Sequence, residues 1–477
     1  MQSDFDIVII GGGAAGLFAA QTAVSQGART CLVEKKDKLG GDCTWTGCIP
    51  SKTLLKSAGI AEQMRHHADF GLGLKEDLDF DNSGVMAHVR RIRERIGAKD
   101  STENFRAKGV EVVHGAAAFI GTNAIEAEGR TITGKRFIIC TGTHPLVPPI
   151  EGLREIDYFT NETIFDTDRL PRSLLVLGGG PIGIELSQAL NRLGVEVTVI
   201  EMMDRILSVE DEEVSEFVAA RLREEGLVIL TGHRAVKFRA DHNGVTAELE
   251  DQEGGTVERT AAKLLVAIGR APNIHGLYLE KGGIEYGPKG ISTDAYLMTS
   301  NPRVFACGDV VGPYMFTHVA AYQAYICLRN ALSRRIFRRK IDYGDIAWAD
   351  YLDPEIGHLG LTEKQARDRH GNIKVYRNNY SVTDRAVTDL AGPGFLKVIT
   401  DKKGYILGAH AVGTEAAEII HPLVIAKTLG IKFSKLAEPM FIYPTLSELV
   451  KKTAALALAE YLNRPLVKFF LKLTRTG

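Results

Sequence analysis

Residues 7–16 read Ile-Val-Ile-Ile-Gly-Gly-Gly-Ala-Ala-Gly, and residues 174–183 read Leu-Leu-Val-Leu-Gly-Gly-Gly-Pro-Ile-Gly. Each is an apolar, strand-like run that stops at a glycine, continues as G-x-G-x-x-G and opens into a helix-like stretch. The first copy sets Gly11, Gly13 and Gly16 at the three fixed positions, and the second sets Gly178, Gly180 and Gly183 there. Further outward, Thr30–Val33 and Val195–Ile200 each read as a second strand followed by an acid, Glu34 and Glu201. The glycines and the acid of the second copy each lie 167 residues after their counterparts. The pattern has a mechanical reading. The first glycine makes a tight turn, the second lets a pyrophosphate approach the backbone, and the third lets helix pack on strand. The acid accepts hydrogen bonds from ribose hydroxyls. Two complete copies at one spacing imply two dinucleotide-binding halves in one chain.

An echo closes each copy. Arg136–Cys140 runs into Thr141, Gly142 and Pro145, and Lys263–Ala267 runs into Gly269, Arg270 and Pro272, so each half is expected to end in a strand feeding a Gly-x-x-Pro turn. The first copy is the longer, and its excess holds Cys43 and Cys48. From Ile291 the pattern changes, leading to the apolar strand that ends at Gly308-Asp309. A carboxylate there sits at a strand's carboxyl end, where doubly wound sheets bind ligands. Beyond about residue 340, short strands (Tyr343–His358, Val375–Thr400) and helices (Ala416–Leu429, Leu446–Tyr461) suggest a third, α+β domain.

Bulk properties agree. A chain of 477 residues is long enough for about three domains. With 45% hydrophobic and 25% charged residues and a formal charge of −1, no field directs it to nucleic acid. An acidic start running straight into an apolar strand gives no export signal, so a cytoplasmic protein is expected. Six dispersed cysteines do not make a structural disulfide framework, and only Cys43 and Cys48 are close in sequence. No resident metal site is expected. Arg464, Lys468, Lys472 and Arg475 recur at helical spacing among Leu466, Val467, Phe469, Phe470 and Leu473, a basic amphipathic tail that packs on its own domain or meets an anionic membrane at its periphery.

The most specific segment is Gly40-Gly41-Asp42-Cys43-Thr44-Trp45-Thr46-Gly47-Cys48-Ile49-Pro50-Ser51-Lys52. C-x-x-x-G-C-I-P-S-K resembles the redox signature of the pyridine nucleotide-disulphide oxidoreductases, which include glutathione reductase, dihydrolipoyl dehydrogenase and mercuric reductase. The resemblance extends in order through Thr141-Gly142, the second fingerprint, Ala267–Asn273 and Ala306–Asp309. It implies an α/β fold of two Rossmann-like domains plus an α+β interface domain. FAD would be held by 1–148 and 266–340, NAD(P) by 149–265, a dimer interface by 341–463, with 464–477 the tail. Cys48 would face the flavin and Cys43 the substrate. Lys52 would lie beside the flavin, paired with Glu185. Asp309 would bind the ribityl chain, and the helix start at Thr317-His318 would face the pyrimidine edge of the ring. Gly41, Thr141, Gly142, Gly269 and Arg270 would complete the cofactor contacts. The residues agree: Pro50 reads as a first helical residue, so both thiols would feel a positive helix end that lowers their pKa. Glu201 suits a ribose 2′-hydroxyl and repels a 2′-phosphate, giving NADH over NADPH, although Arg205 four residues on softens that preference.

One position departs from the disulfide-reducing members. Where they carry His-Pro-x-x-x-Glu, this chain has Tyr443-Pro444-Thr445-Leu446-Ser447-Glu448. A phenol near pKa 10 is ionised about one part in a thousand at pH 7, so Tyr443 is a poor base where imidazole is a good one. Thr445-x-x-Glu448 also reads as a helix capping box. Mercuric reductases share the tyrosine, but they typically end in a cysteine pair, and here no cysteine follows Cys327. The resemblance thus implies a homodimeric enzyme passing electrons from NAD(P)H through FAD and the Cys43–Cys48 pair to a thiol-bound metal ion or small disulfide. The alternatives are a dihydrolipoyl dehydrogenase, with His318, His421 or a water as base, and a membrane-associated quinone reductase working directly from flavin.

Overall fold

The computed structural model describes residues 3–73 and 81–473. It separates into two compact units, Met1–Ile200 with His233–Asp342, and Glu201–Gly232 with Tyr343–Gly477.

The first unit is built on the two repeats. Phe5–Ile10 lies between Thr30–Glu34 and Arg130–Ile139, and Val110–His114 continues beyond Thr30–Glu34, all parallel. Val304–Ala306 adds a parallel strand on the far side of Arg130–Ile139. Such strands are covered on both faces, which is why they read as unbroken apolar runs. Ile7, Ile9, Leu32 and Phe305 turn to one core layer, and Val8, Ile10, Phe137 and Ile139 to the other. The second repeat makes a parallel sheet with Ser173–Leu177 between Glu196–Ile200 and Lys263–Val266. An antiparallel meander, His233–Asp241, Gly244–Asp251 and Thr256–Ala261, completes the unit. The two segments read as Gly-x-x-Pro turns are instead short strands. Thr143–Pro145 and Arg270–Pro272 pair with each other antiparallel, because proline fits where a ladder has no further neighbour.

The second unit is a five-stranded antiparallel sheet in the order Ala347–Asp350, Ile356–Gly360, Ile406–Val412, Phe395–Thr400, Lys374–Asn379. The helices Ala416–Ile419, His421–Thr428 and Glu448–Leu462 pack on it around Phe433, Leu423, Leu449 and Val450. The tail is helical over Pro465–Leu473, with Leu466 74% and Phe469 58% exposed. Arg475 lies outside the described residues. Among these residues, no helix is long and apolar enough to cross a membrane.

Candidate active site

Most of the residues singled out above lie in the first unit, at helix starts and just beyond strand ends. The helix Cys48–Arg65 begins at Cys48 itself, two residues earlier than Pro50 suggested. Cys48 is therefore its first helical residue, where backbone N–H groups and the helix dipole favour negative charge. Cys43 sits one short helix earlier, in Gly41–Trp45. Gly47 between them is obligatory by packing, since a Cβ there would stand 2.9 Å from the Asp42 carbonyl oxygen. Both sulfurs are free thiols and partly accessible, whereas Cys31, Cys140, Cys307 and Cys327 are buried.

The two thiols are not equivalent. Cys48 is drawn down to about 6, chiefly because Cys43 donates a hydrogen bond to it, helped by Thr317 and by the Lys52 ammonium against the opposing effect of burial. Cys43 moves the opposite way, raised by that shared hydrogen bond and by desolvation. Thr317 Oγ1 lies 3.4 Å from Cys48 Sγ. It opens the helix Thr317–Leu332, so the N-termini of two long helices converge on one sulfur. Next to them, Lys52 Nζ reaches both Glu185 oxygens, at 2.7 and 3.0 Å, and the Glu185 side chain is only 7% exposed. His318 stacks on Phe316, ring centroids 5.7 Å apart.

The first fingerprint forms a tight glycine turn of the kind that suits a pyrophosphate. Gly11 has φ +106°, and a Cβ on it would strike the Cys140 carbonyl, while a Cβ on Gly16 would strike the Gly11 carbonyl. Gly13 has no such neighbour, its closest being Gly41 Cα at 3.7 Å. The second fingerprint repeats this division: Gly178 and Gly183 are packed against backbone oxygens and Gly180 faces open space. The glycine left open in each copy is the second of the G-x-G-x-x-G pattern. Glu34 closes the first turn, its Oε2 accepting from the Gly12 N–H at 2.6 Å. The strand expected to run to Gly308-Asp309 ends at Ala306, and Asp309 lies in the turn three residues on, with Thr143 Oγ1 3.3 Å away; burial raises its carboxyl while Arg270 opposes the shift. Thr141 and Asn273 exchange two hydrogen bonds of 2.8 Å across the paired short strands. Gly142 has φ +65° and Gly269 φ +138°, left-handed turns that lead into those strands.

Arg270 is tied more tightly than its motif suggested. It donates from Nε to Thr143 Oγ1 at 2.6 Å and pairs with Asp42, the residue preceding Cys43. Asp42 had no signal of its own in the sequence, because its partner lies 228 residues away, and Thr317, expected at the flavin, gave no sign of its contact with Cys48, 269 residues away.

Glu201 is the first residue of the second unit and accepts from the Met203 N–H at 2.8 Å. Arg205 donates to the Glu210 and Ser208 carbonyls at 3.0 and 2.9 Å, which commits its guanidinium to its own loop. Tyr443 is 66% exposed and donates its hydroxyl to Asp384 Oδ2 at 2.8 Å; that carboxylate raises the phenol still further from neutrality. The capping box at Thr445-x-x-Glu448 does not form. Ser447 is the N-cap, Thr445 Oγ1 turns back to the Ile442 carbonyl, and Glu448 Oε2 is buried without a hydrogen-bond partner.

Together these features define a dinucleotide-dependent dithiol oxidoreductase. Residues 5–324 match the family described as pyridine nucleotide-disulphide oxidoreductase, and residues 346–454 match that family's dimerisation domain. The chain belongs to this family, whose members are FAD- and NAD(P)H-dependent enzymes. A mercuric reductase of Staphylococcus aureus is 33% identical over 463 residues, covering 95% of this chain and 82% of that protein. A dihydrolipoyl dehydrogenase of Rhizobium etli is 32% identical over 485 residues, covering 97% and 100%. Among solved structures, the Cu(II) complex of the HOCl-induced flavoprotein disulfide reductase RclA from Escherichia coli superposes with a TM-score of 0.84 at 26% identity, covering 94% of this chain and 100% of that one.

Proposed function

We propose that this flavin disulfide oxidoreductase uses NADH to reduce a thiophilic metal ion held by Cys43 and Cys48, and does so as a cytoplasmic homodimer. The observation that carries the reading is the unequal thiol pair combined with Tyr443 in the base position. When bound, FAD takes two electrons from the nicotinamide and delivers them to sulfur. Cys48, held near 6 by Cys43, Thr317 and Lys52, is the thiolate that faces that transfer at neutral pH. Cys43 keeps its proton in the resting dithiol and is the sulfur that exchanges with what arrives from solvent. A disulfide or dihydrolipoamide substrate needs a general base to move thiol protons at each turnover, and a phenol raised by Asp384 is unsuited to it. A soft cation needs only thiolates, which it deprotonates on binding. Lys52 and Glu185 hold a fixed charge pair beside the sulfurs. Glu201 favours a free ribose 2′-hydroxyl, which gives the preference for NADH.

The mercuric reductase and the Cu(II)-bound RclA support the same choice. The test is steady-state NADH oxidation by purified enzyme with Hg(II), Cu(II), lipoamide and glutathione disulfide. Metal-dependent turnover that Cys43→Ser abolishes is expected. Lipoamide turnover exceeding that with either metal would replace this reading with dihydrolipoyl dehydrogenase, and quinone reduction untouched by Cys43→Ser would replace it with direct flavin chemistry.

A further inference from the structure

The sheet of the second unit carries a polar row through its middle. Cross-strand register sets Trp348 beside His358, His358 beside His410, His410 beside Lys397, and Lys397 beside Arg377. Directly paired residues of an antiparallel sheet point to the same face, so these five form one ladder. Glu210 and Asp211, just before the helix Glu212–Glu224, lie over it. Glu210, His358 and His410 are all essentially inaccessible to solvent, and one ligand atom from each lies within 4.8 Å of the others.

The hydrogen bonding of this cluster is incomplete in a specific way. His358 Nε2 is 2.9 Å from the Gly360 carbonyl oxygen, which only accepts, so Nε2 carries a proton. His358 Nδ1 then points at Glu210 Oε2 from 2.7 Å. A neutral ring would set a lone pair against a carboxylate there, so a cation must lie between them, either a proton or a metal ion. The other Glu210 oxygen accepts from Trp348 Nε1 at 2.6 Å. His410 stands edge-on to His358, centroids 4.6 Å apart, 0% exposed, and neither of its ring nitrogens has a hydrogen-bond partner. Its Nε2 is 3.9 Å from Asp211 Oδ2, beyond hydrogen-bond reach, while Lys397 holds Asp211 Oδ1 at 2.9 Å. A proton satisfies His358 and Glu210 but leaves His410 with nothing. A divalent ion satisfies all three.

We infer that Glu210, His358 and His410 form a structural zinc site, unrelated to the redox cysteines. Two imidazoles and a carboxylate are a borderline donor set of the kind Zn(II) takes. The surroundings are those of a metal site: His358 is oriented through its second nitrogen by a carbonyl, Glu210 through its second oxygen by an indole, and Asp211 faces His410. Tetrahedral zinc with bonds of about 2.0–2.1 Å sets ligands roughly 3.3 Å apart. The His358–Glu210 contact therefore opens by about half an ångström, and His410 closes on them. Because all three residues are essentially inaccessible to solvent, the ion enters as the unit folds.

The experiment uses the full-length, FAD-loaded protein carrying Cys43→Ser and Cys48→Ser, so that those thiols do not compete. It is produced with Zn(II) in the medium, dialysed against a chelator, and assayed by elemental analysis and zinc X-ray absorption. About one zinc per chain with a first shell of nitrogen and oxygen only is expected. His410→Gln and, separately, Glu210→Gln should each lower the zinc content at least about tenfold. Flavin retention and circular dichroism report whether each variant has folded, and if His410→Gln does not fold, Glu210→Gln decides. Zinc-free protein, a sulfur shell near 2.3 Å, or undiminished zinc in the folded variant overturns the proposal.

Discussion

Thr317→Val tests how the Cys48 thiolate is made. The substitution keeps the shape of the side chain and removes the hydroxyl that stands 3.4 Å from Cys48 Sγ. A hydrogen bond to a charged acceptor is worth about 1.5–3 kcal/mol, and the length of this one places it at the weaker end. At about 1.4 kcal/mol per pKa unit, the thiol should rise by roughly one unit, from about 6 toward about 7. The assay is the pH dependence of iodoacetamide alkylation at Cys48 in the reduced enzyme, with Thr317→Ser as the control that restores the hydroxyl. The same shift enters stability with a definite sign. Because the folded pKa is depressed, the reduced protein gains stability that is complete above the unfolded thiol value of about 8.5 and is lost as pH falls through the folded value. In Thr317→Val the gain should be smaller, and its loss should be complete near pH 7 instead of near pH 6. An unchanged alkylation profile, or a serine variant that shifts as far as valine, would refute the hydrogen-bond account of this thiol.

Gly13→Ala should fold normally yet bind FAD at least about tenfold more weakly, whereas Gly16→Ala should also unfold more easily, since its Cβ meets the Gly11 carbonyl; flavin fluorescence on dilution and thermal melts separate the two. Glu201→Ala should move the NADPH-to-NADH ratio of kcat/KM toward NADPH by about tenfold or more, read from initial rates with each nucleotide. Lys397→Met removes the ammonium that Asp211, Glu213 and Glu363 share at 2.9, 3.2 and 2.7 Å, and should cost about 3 kcal/mol in urea denaturation, because the buried Asp211 carboxylate loses its counter-charge.

Much of the first unit was legible in the sequence, because its information is local. A G-x-G-x-x-G turn carries its own geometry, and Cys43 and Cys48 are close enough for spacing alone to mark them. What escaped depends on distant pairing. Gly142 to Pro145 and Gly269 to Pro272 each read as a Gly-x-x-Pro turn, yet Thr143–Pro145 and Arg270–Pro272 found each other and became strands. Pro50 marked the helix correctly but placed its start two residues late, and that difference makes Cys48 the first helical residue. Thr445 and Glu448 fit a capping pattern, but Ser447 took the N-cap and left Glu448 turned inward. The His358–His410 row had no signature at all, since its members come from five separate strands and meet Glu210 148 residues from His358.

The most direct test of the electron path is an anaerobic titration with NADH, following flavin absorbance and free thiols together. If Cys43 and Cys48 take electrons beyond those held on the flavin, the oxidised enzyme should accept about four electrons per chain, gain about two thiols, and show a long-wavelength thiolate band that Cys48→Ser abolishes. Uptake of about two electrons with no new thiol in the unmodified enzyme would contradict it.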